Sequence, residues 1–394
     1  DALFRLSDYW HVGFDGTHAS DTTYLRRFDI SDEDVIQARG FVNYVDNSNY
    51  FSLEGNMFQG LNNTFVGDNT PYVLPYIKSY FETKRGVLPY LDTTKLYGSI
   101  EGFSIHRDND NNRRALLTAG FESPYIYKGA LFKMSSEIIT GLYDINDVDN
   151  DTIDRFKYHG SVELNYPLIN NLDGTAIYLE PLVKYSYSNG DDNTEFVNEN
   201  ARYIEISDIN IFSNNRFIGS DLQEYGERLQ YGIRAGVSTN SFSISSVIGQ
   251  SYNFNEYSLS NTGGFDDNHS DIVGRINLNL YNHLDVQYRY RLDDNELKLR
   301  TNELKASLNY DKLTANVNYL TLQDSAILGV DLEEIRIGGG FKVTDEWHVS
   351  GGFIKDLTDF KTTYSYGNIL HKGECITLGV GFAKHFLRDR DVED

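Results

Sequence analysis

Between Leu284 and Leu292 apolar and polar side chains alternate one by one: Leu284, Val286, Tyr288, Tyr290 and Leu292 share one face, and Asp285, Gln287, Arg289 and Arg291 share the other. A period of two is that of a β-strand with one oily and one wet face. The same alternation sets Leu229, Tyr231, Ile233, Ala235 and Val237 against Arg228, Gln230, Gly232, Arg234 and Gly236. It recurs with Ile272, Ile276, Leu278 and Leu280 against Arg275, Asn277 and Asn279, and with Ile376, Leu378, Val380 and Phe382 against Cys375, Thr377, Gly379 and Gly381. Followed along the whole chain, the pattern predicts about nineteen strands, most of roughly nine to fourteen residues, and no amphipathic helix. The expected spans are 6–20, 34–46, 49–60, 72–85, 95–107, 112–127, 131–145, 155–169, 175–189, 228–239, 242–255, 270–281, 284–293, 297–310, 313–323, 332–343, 347–356, 361–371 and 375–386. Strands of soluble sandwiches have a mode of about 5–6 residues. A tilted strand crossing a bilayer needs about 9–11.

The connections alternate in length. Long ones, rich in Asp, Asn and Ser, run over 21–33, 61–71, 146–154, 190–227, 256–269 and 324–331. Between them lie short ones: Asp46 to Ser48, Lys128 to Ala130, Asn170 to Gly174, Asn240-Ser241, Asn282-His283, Asp311-Lys312 and Thr344 to Glu346. Short turns at one end and long loops at the other describe an outer-membrane barrel with its short turns in the periplasm. The connector 86–94, which holds Pro89, fits this scheme least well. The expected fold class is therefore all-β, a large antiparallel transmembrane β-barrel forming one membrane domain over 1–394. An odd number of strands that begins in the periplasm ends outside, whereas bacterial single-chain barrels have an even number. The count thus predicts an incomplete barrel, with at least one strand beyond Asp394.

Composition supports this picture more than it corrects it. A length of 394 residues by itself suggests two or three soluble domains. Yet 29 Tyr and 23 Phe against only 2 Met and 2 Trp fit interfacial girdles and a lipid-facing wall better than a close-packed core. The 35 Lys and Arg against 58 Asp and Glu, a net charge of −23, exclude nucleic acid as a partner. One cysteine excludes a disulfide closed within the chain. No apolar run approaches the ~20 residues of a transmembrane helix, and no signal-peptide core is present. Soluble sandwiches remain the competing architecture; a fixed-period repeat, as in propellers or solenoids, is not found.

Candidate chemistry is sparse. Histidines at 11, 18, 106, 159, 269, 283, 348, 371 and 385 form no metal-binding spacing, and one cysteine argues against zinc. Asp147-Val148-Asp149-Asn150-Asp151 opens like an EF-hand loop, but Thr152 stands where the turn Gly belongs and Tyr158 where the bidentate Glu belongs. There is no G-x-S-x-G elbow and no phosphate-cradling loop, so neither an enzyme nor a cofactor is expected. What remains is a set of arginines on the wet faces: Arg228, Arg234, Arg275, Arg289, Arg291 and Arg336. They fit a charge-balanced, water-filled lumen, with Asp285 and Glu303 as acidic neighbours. They also fit attraction of an anionic amphiphile, since guanidinium forks bind phosphate bidentately.

Four strings add a resemblance. Ser20-Asp21-x-x-Tyr24-Leu25-Arg26-x-Phe28-Asp29 follows Tyr9-Trp10-His11-Val12; Tyr178-Leu179-Glu180-Pro181-x-Val183-x-Tyr185 comes next; then Asn214-Asn215-Arg216-Phe217-x-Gly219-x-Asp221 leads into Glu227-Arg228-Leu229-x-Tyr231-Gly232; and Glu374-Cys375 opens the last strand. Together, in this order and spacing, they resemble the C-terminal barrel domain of the lipopolysaccharide-assembly protein family LptD, also called organic solvent tolerance protein. The resemblance implies an outer-membrane translocon that assembles lipopolysaccharide into the outer leaflet. It implies as partners lipopolysaccharide, outer-membrane lipids, a lumen-plugging lipoprotein and periplasmic bridge proteins. Family members carry a cysteine, often an adjacent pair, near the barrel's end, bonded to an N-terminal periplasmic domain; here Cys375 stands alone and becomes a candidate interdomain disulfide. Measured against the family, the chain is expected to lack the periplasmic jellyroll and a signal peptide, to start several strands into the barrel and stop one strand short of closure, and to leave the lateral gate wholly or largely outside residues 1–394. A passive porin or ligand-uptake receptor is the alternative; it predicts a constriction loop or plug in the same chain.

Overall fold

The computed structural model describes the chain except residues 29, 32, 62–69, 88, 90, 108–110, 146–150, 190–192, 194–196, 203, 256–263, 266–267, 282, 324–330 and 387–394. The EF-hand-like stretch 147–150 therefore lies outside the described residues. Twenty-one strands and one short helix are formed among the described residues. The strands are β1 (Ala2–Arg5), β2 (Trp10–Gly16), β3 (Val35–Val45), β4 (Asn49–Gly60), β5 (Tyr72–Glu82), β6 (Lys95–His106), β7 (Asn111–Tyr127), β8 (Ala130–Ile145), β9 (Asp151–Asn165), β10 (Leu168–Leu172) and β11 (Thr175–Ser188). They continue as β12 (Gly226–Ser238), β13 (Phe242–Asn253), β14 (Ile272–Leu280), β15 (Leu284–Leu292), β16 (Leu299–Tyr310), β17 (Leu313–Leu322), β18 (Leu332–Lys342), β19 (Trp347–Asp356), β20 (Lys361–Lys372) and β21 (Thr377–His385). Helix α1 is the single turn Tyr24–Arg27. No helix among the described residues is long and apolar enough to cross a membrane.

Two compact units divide the chain: residues 1–125, 133–162 and 188–197 form the first, and residues 126–132, 163–187 and 198–394 the second. In the first, β1 to β7 pair antiparallel, each with the next. Its turn at 46–48 shows why such connections can be short. The carboxylate of Asp46 accepts from the backbone N–H groups of Ser48 and Asn49, both at 2.7 Å, closing the turn with a side chain. Those bonds, led by that from the Asn49 side chain, hold the Asp46 carboxyl well below the usual carboxylate range. In the second unit β10 pairs with β11, and β12 to β21 pair in succession, again all antiparallel.

The all-β, up-and-down architecture expected from the alternation is thus present, with two differences. The span 6–20 holds β2 alone, because the chain forms an earlier strand, β1, which turns back onto it through residues 6–9. The span 155–169 is broken at Pro167, which has no N–H to donate; β10 resumes beyond it and pairs with β11. Among the described residues the strand count remains odd, at twenty-one.

Burial is inverted relative to a water-soluble fold. On β11, Val183, Tyr185 and Tyr187 are exposed, while the alternating Lys184, Ser186 and Ser188 are buried. Elsewhere Arg228, Gln230, Ser251, Asn253 and Arg291 are buried, and Ile233, Ile244, Ile248 and Ile276 are exposed. Apolar side chains face outward because lipid accepts them. The polar ones face inward because only there can their hydrogen bonds be satisfied.

Candidate functional site: an arginine wall and the segment it holds

Within the second unit, the ladder register places the wet-face residues of β12 to β16 side by side. Arg228 lies opposite Asn253, Gln230 opposite Ser251, Arg275 opposite Arg289, and Arg289 opposite Glu303. Two arginines directly across from one another repel, so this wall needs counter-charge. Much of it arrives from the connection between β11 and β12.

The described residues among 198–225 of that connection are folded rather than solvated, and each polar residue of the family-like string has a structural task. Asp221, fully buried, accepts from the backbone N–H groups of Glu199 at 2.7 Å and Asn200 at 2.8 Å. Asn200 answers by accepting from the N–H groups of Ser220 and Asp221, both at 3.1 Å. Gly219 sits between them at φ +93°, where an added Cβ would lie 2.7 Å from the Cα of Ala201, so only glycine fits. Asn215 accepts from the backbone N–H of Glu224 at 3.2 Å, and Arg216 covers the ring of Phe265 at 4.3 Å. Ile206, Ile211, Phe265 and Val273 form a small apolar core under the segment.

The wall grips this segment chiefly by its backbone carbonyls. Lys184 donates to the carbonyl of Phe212 at 2.7 Å and to Oδ1 of Asn214 at 2.5 Å. Gln230 donates to the carbonyls of Ile211 at 2.8 Å and Ser213 at 3.2 Å. Arg228 reaches the carbonyl of Asn214 at 2.6 Å. Donors that would face water in an open lumen thus serve carbonyls of residues 211–214, which lie outside any strand. The Phe212 ring fits against Gly232 and Gly249, which are register partners on adjacent strands. A Cβ on either would come within 2.7 or 2.8 Å of that ring, so the two glycines form its socket.

Charge is matched at three points. Glu224, its side chain 2% exposed, pairs with Arg216 and Arg228. Burial pushes the Glu224 carboxyl upward, but the two guanidinium groups outweigh it and hold the group below its ordinary value. Asp208 inserts between the opposed arginines, 3.2 Å from Arg275 and 3.4 Å from Arg289. Arg291 lies 3.5 Å from Glu205 and 3.6 Å from Asp271 of the wall. Beside Asp208 a cavity of about 320 Å³ is lined by Tyr178, Phe212, Arg234, Ser245, Arg275 and Asn277, among others.

Of the six arginines singled out from the sequence, Arg228, Arg275, Arg289 and Arg291 thus meet acidic residues of the 198–225 segment. Arg234 pairs with Glu180 at 2.6 Å and borders the cavity. Among the described residues Arg336 pairs only with Glu334 on its own strand, at 2.6 Å, and stays exposed. Glu303 does lie by Arg289, at 3.6 Å, as an acidic neighbour, whereas Asp285 accepts from Asn279. Cys375 is exposed in the four-residue connection between β20 and β21, at the end of the ladder that carries the other short turns, and takes no part in the cluster. Sequence reasoning passed over Glu205, Asp208, Phe212 and Glu224, because 190–227 reads as a polar outer loop. The signal that could have found them is the string from Asn214 to Asp221 beside the wet-face arginines.

A family model described as LPS transport system D (LptD) matches residues 2–347. No curated protein matches the chain. Among solved structures, the siderophore receptor PirA from Acinetobacter baumannii aligns over 97% of this chain and 69% of its own, at 9% identity and a TM-score of 0.44. The ferric-catecholate import receptor Fiu from E. coli K12 aligns over 89% of this chain and 68% of its own, at 11% identity and a TM-score of 0.34. The copper transporter OprC aligns over 89% of this chain at 9% identity and a TM-score of 0.35; the chain spans 64% of that transporter's length.

Proposed function

The chain belongs to the LPS transport system D family, and from that premise we propose that it forms the barrel through which lipopolysaccharide enters the outer leaflet of the bacterial outer membrane. The family places it in that membrane as a β-barrel protein, and its work is transport rather than catalysis. Among the structural features, the one that carries the reading is the inverted burial. Exposed Ile233, Ile248 and Ile276 back onto a face holding Lys184, Arg228, Gln230 and Arg291. A sugar-phosphate headgroup can follow such a face while its acyl chains leave through a parted strand seam into the bilayer, so neither part enters a medium hostile to it. A lipoprotein plug in the lumen and a periplasmic protein bridge supplying the amphiphile complete the machine. Cys375, exposed beside β21, is the thiol through which a periplasmic domain would be anchored.

The porin alternative draws on one observation: segment 198–225, packed on the polar wall, resembles a constriction loop. The two readings separate in cells depleted of their own family member and supplied with the full-length protein. Restored surface labelling of lipopolysaccharide is expected. Correctly inserted protein that restores none, yet admits small sugars in liposome-swelling assays, would establish the porin instead. A Cys375→Ser variant should lose a species resolved on non-reducing gels; an unchanged pattern would remove the disulfide from the scheme.

A further inference from the structure

We propose that the opposed pair Arg275 and Arg289 is a seat for a phosphate monoester, held in this structure by the Asp208 carboxylate as an internal substitute. This goes beyond the transport reading and does not depend on it. Three observations carry it. First, the ladder register sets the two guanidinium groups directly opposite each other on β14 and β15, an arrangement that costs energy unless an anion lies between them.

Second, Asp208 fills that place incompletely. It lies within ion-pair range of both arginines, at 3.2 and 3.4 Å, yet its buried Oδ2 and the buried Nε atoms of Arg275 and Arg289 are not aligned for hydrogen bonds. Among the described residues, the ion pairs of Arg275, Arg289 and Lys305 are made with Asp208 and Glu303 alone, Lys305 binding Glu303 at 2.5 Å. A residual positive charge remains. A phosphate monoester brings three acceptor oxygens and a charge of about −1.5 to −2, matching two guanidinium forks where one carboxylate cannot.

Third, there is room for what the phosphate is attached to. The cavity of about 320 Å³ beside Asp208 is bordered by Arg275 and by the polar side chains of Asn277, Ser245 and Arg234. Entry of the ester displaces Asp208, so residues 198–225 act as a competing cover on the seat.

The test uses full-length protein in detergent micelles, titrated with inorganic phosphate and glycerol phosphate and followed by ³¹P line broadening. Asp208→Asn, which removes the resident competitor, should bind about tenfold more tightly or better. The double variant Asp208→Asn with Arg275→Gln should lose that gain. Equal affinity in the single and double variants overturns the seat. Should Asp208→Asn fail to show the heat-modifiable gel mobility of a folded barrel, the wild type decides. Phosphate, but not chloride at equal ionic strength, should speed proteolysis within 198–225, and no difference overturns the proposal. Micelles doped with phosphatidate separate the sources: acceleration by the lipid alone assigns the seat to a headgroup, and acceleration by glycerol phosphate assigns it to a free ester.

Discussion

Arg228 on β12, followed by Leu229, and Arg336 on β18, between Ile335 and Ile337, both belong to the polar set of their strands, yet they meet opposite surroundings. The Arg228 side chain is 1% exposed, pairs with Glu224 and donates to a carbonyl of the covering segment. Arg336 is 57% exposed and pairs with Glu334 two residues away. Alternation determines which face a side chain takes. Whether that face is covered depends on a connection far away in the chain, here residues 198–225. A buried ion pair without its partner leaves a desolvated charge, whereas an exposed pair exchanges its partner for water.

Glu224→Gln should therefore have the largest effect. Arg216 and Arg228 would keep a neutral acceptor but lose the charge that compensates their burial, at a cost of about 3–5 kcal/mol by analogy with broken buried pairs. Urea unfolding in micelles, together with protease cleavage inside 198–225, would register the loss. A cost near zero would mean that the covered wall behaves like the open one. Acid offers a reversible version of this test. Because Glu224 titrates below its ordinary value in the folded protein, its stabilisation is complete above the unfolded pKa of about 4.3 and is lost as pH falls through the lower folded value. Hydrogen exchange of the segment should stay slow at pH 5 and quicken only on further acidification; release already at pH 6 would contradict the pairing.

Phe212→Ala comes next. The ring lies on Gly232 and Gly249 with Arg234 at 5.9 Å, but it is only partly buried, so the loss should fall near 2–3 kcal/mol, below the range for fully buried aromatics. The same unfolding assay should show it, and the segment should become protease-sensitive while the heat-modifiable mobility of the barrel persists. Loss of that mobility would show that the segment supports the wall itself, not merely covers it.

These residues mark how far the sequence could be read. Strand faces were legible because a period of two imposed by lipid on one side and polar groups on the other is a local property. The assignment of Arg228, Arg275, Arg289 and Arg291 to one face follows from it directly. The fold of 198–225 was not legible, because its order comes from single long-range bonds, such as Asp221 to the N–H groups of Glu199 and Asn200, and from carbonyls gripped by Lys184 and Gln230. Nothing in the local composition of an Asn- and Asp-rich stretch separates that from a solvated loop. Strand β1 was missed for a related reason: four residues are too few to show a period, and pairing with β2 establishes them.

The smallest effect is expected at the open wall. Arg336→Gln removes an ion pair whose arginine is already in contact with water, so its cost should stay below about 0.5 kcal/mol and shrink further at high salt. Protease cleavage within 198–225 should be unchanged, since no described bond links Arg336 to that segment. A cost approaching that of Glu224→Gln would require a cover over β18 as well. The contrast between the two arginines would then lie not in burial but in the affinity of each wall for whatever occupies it.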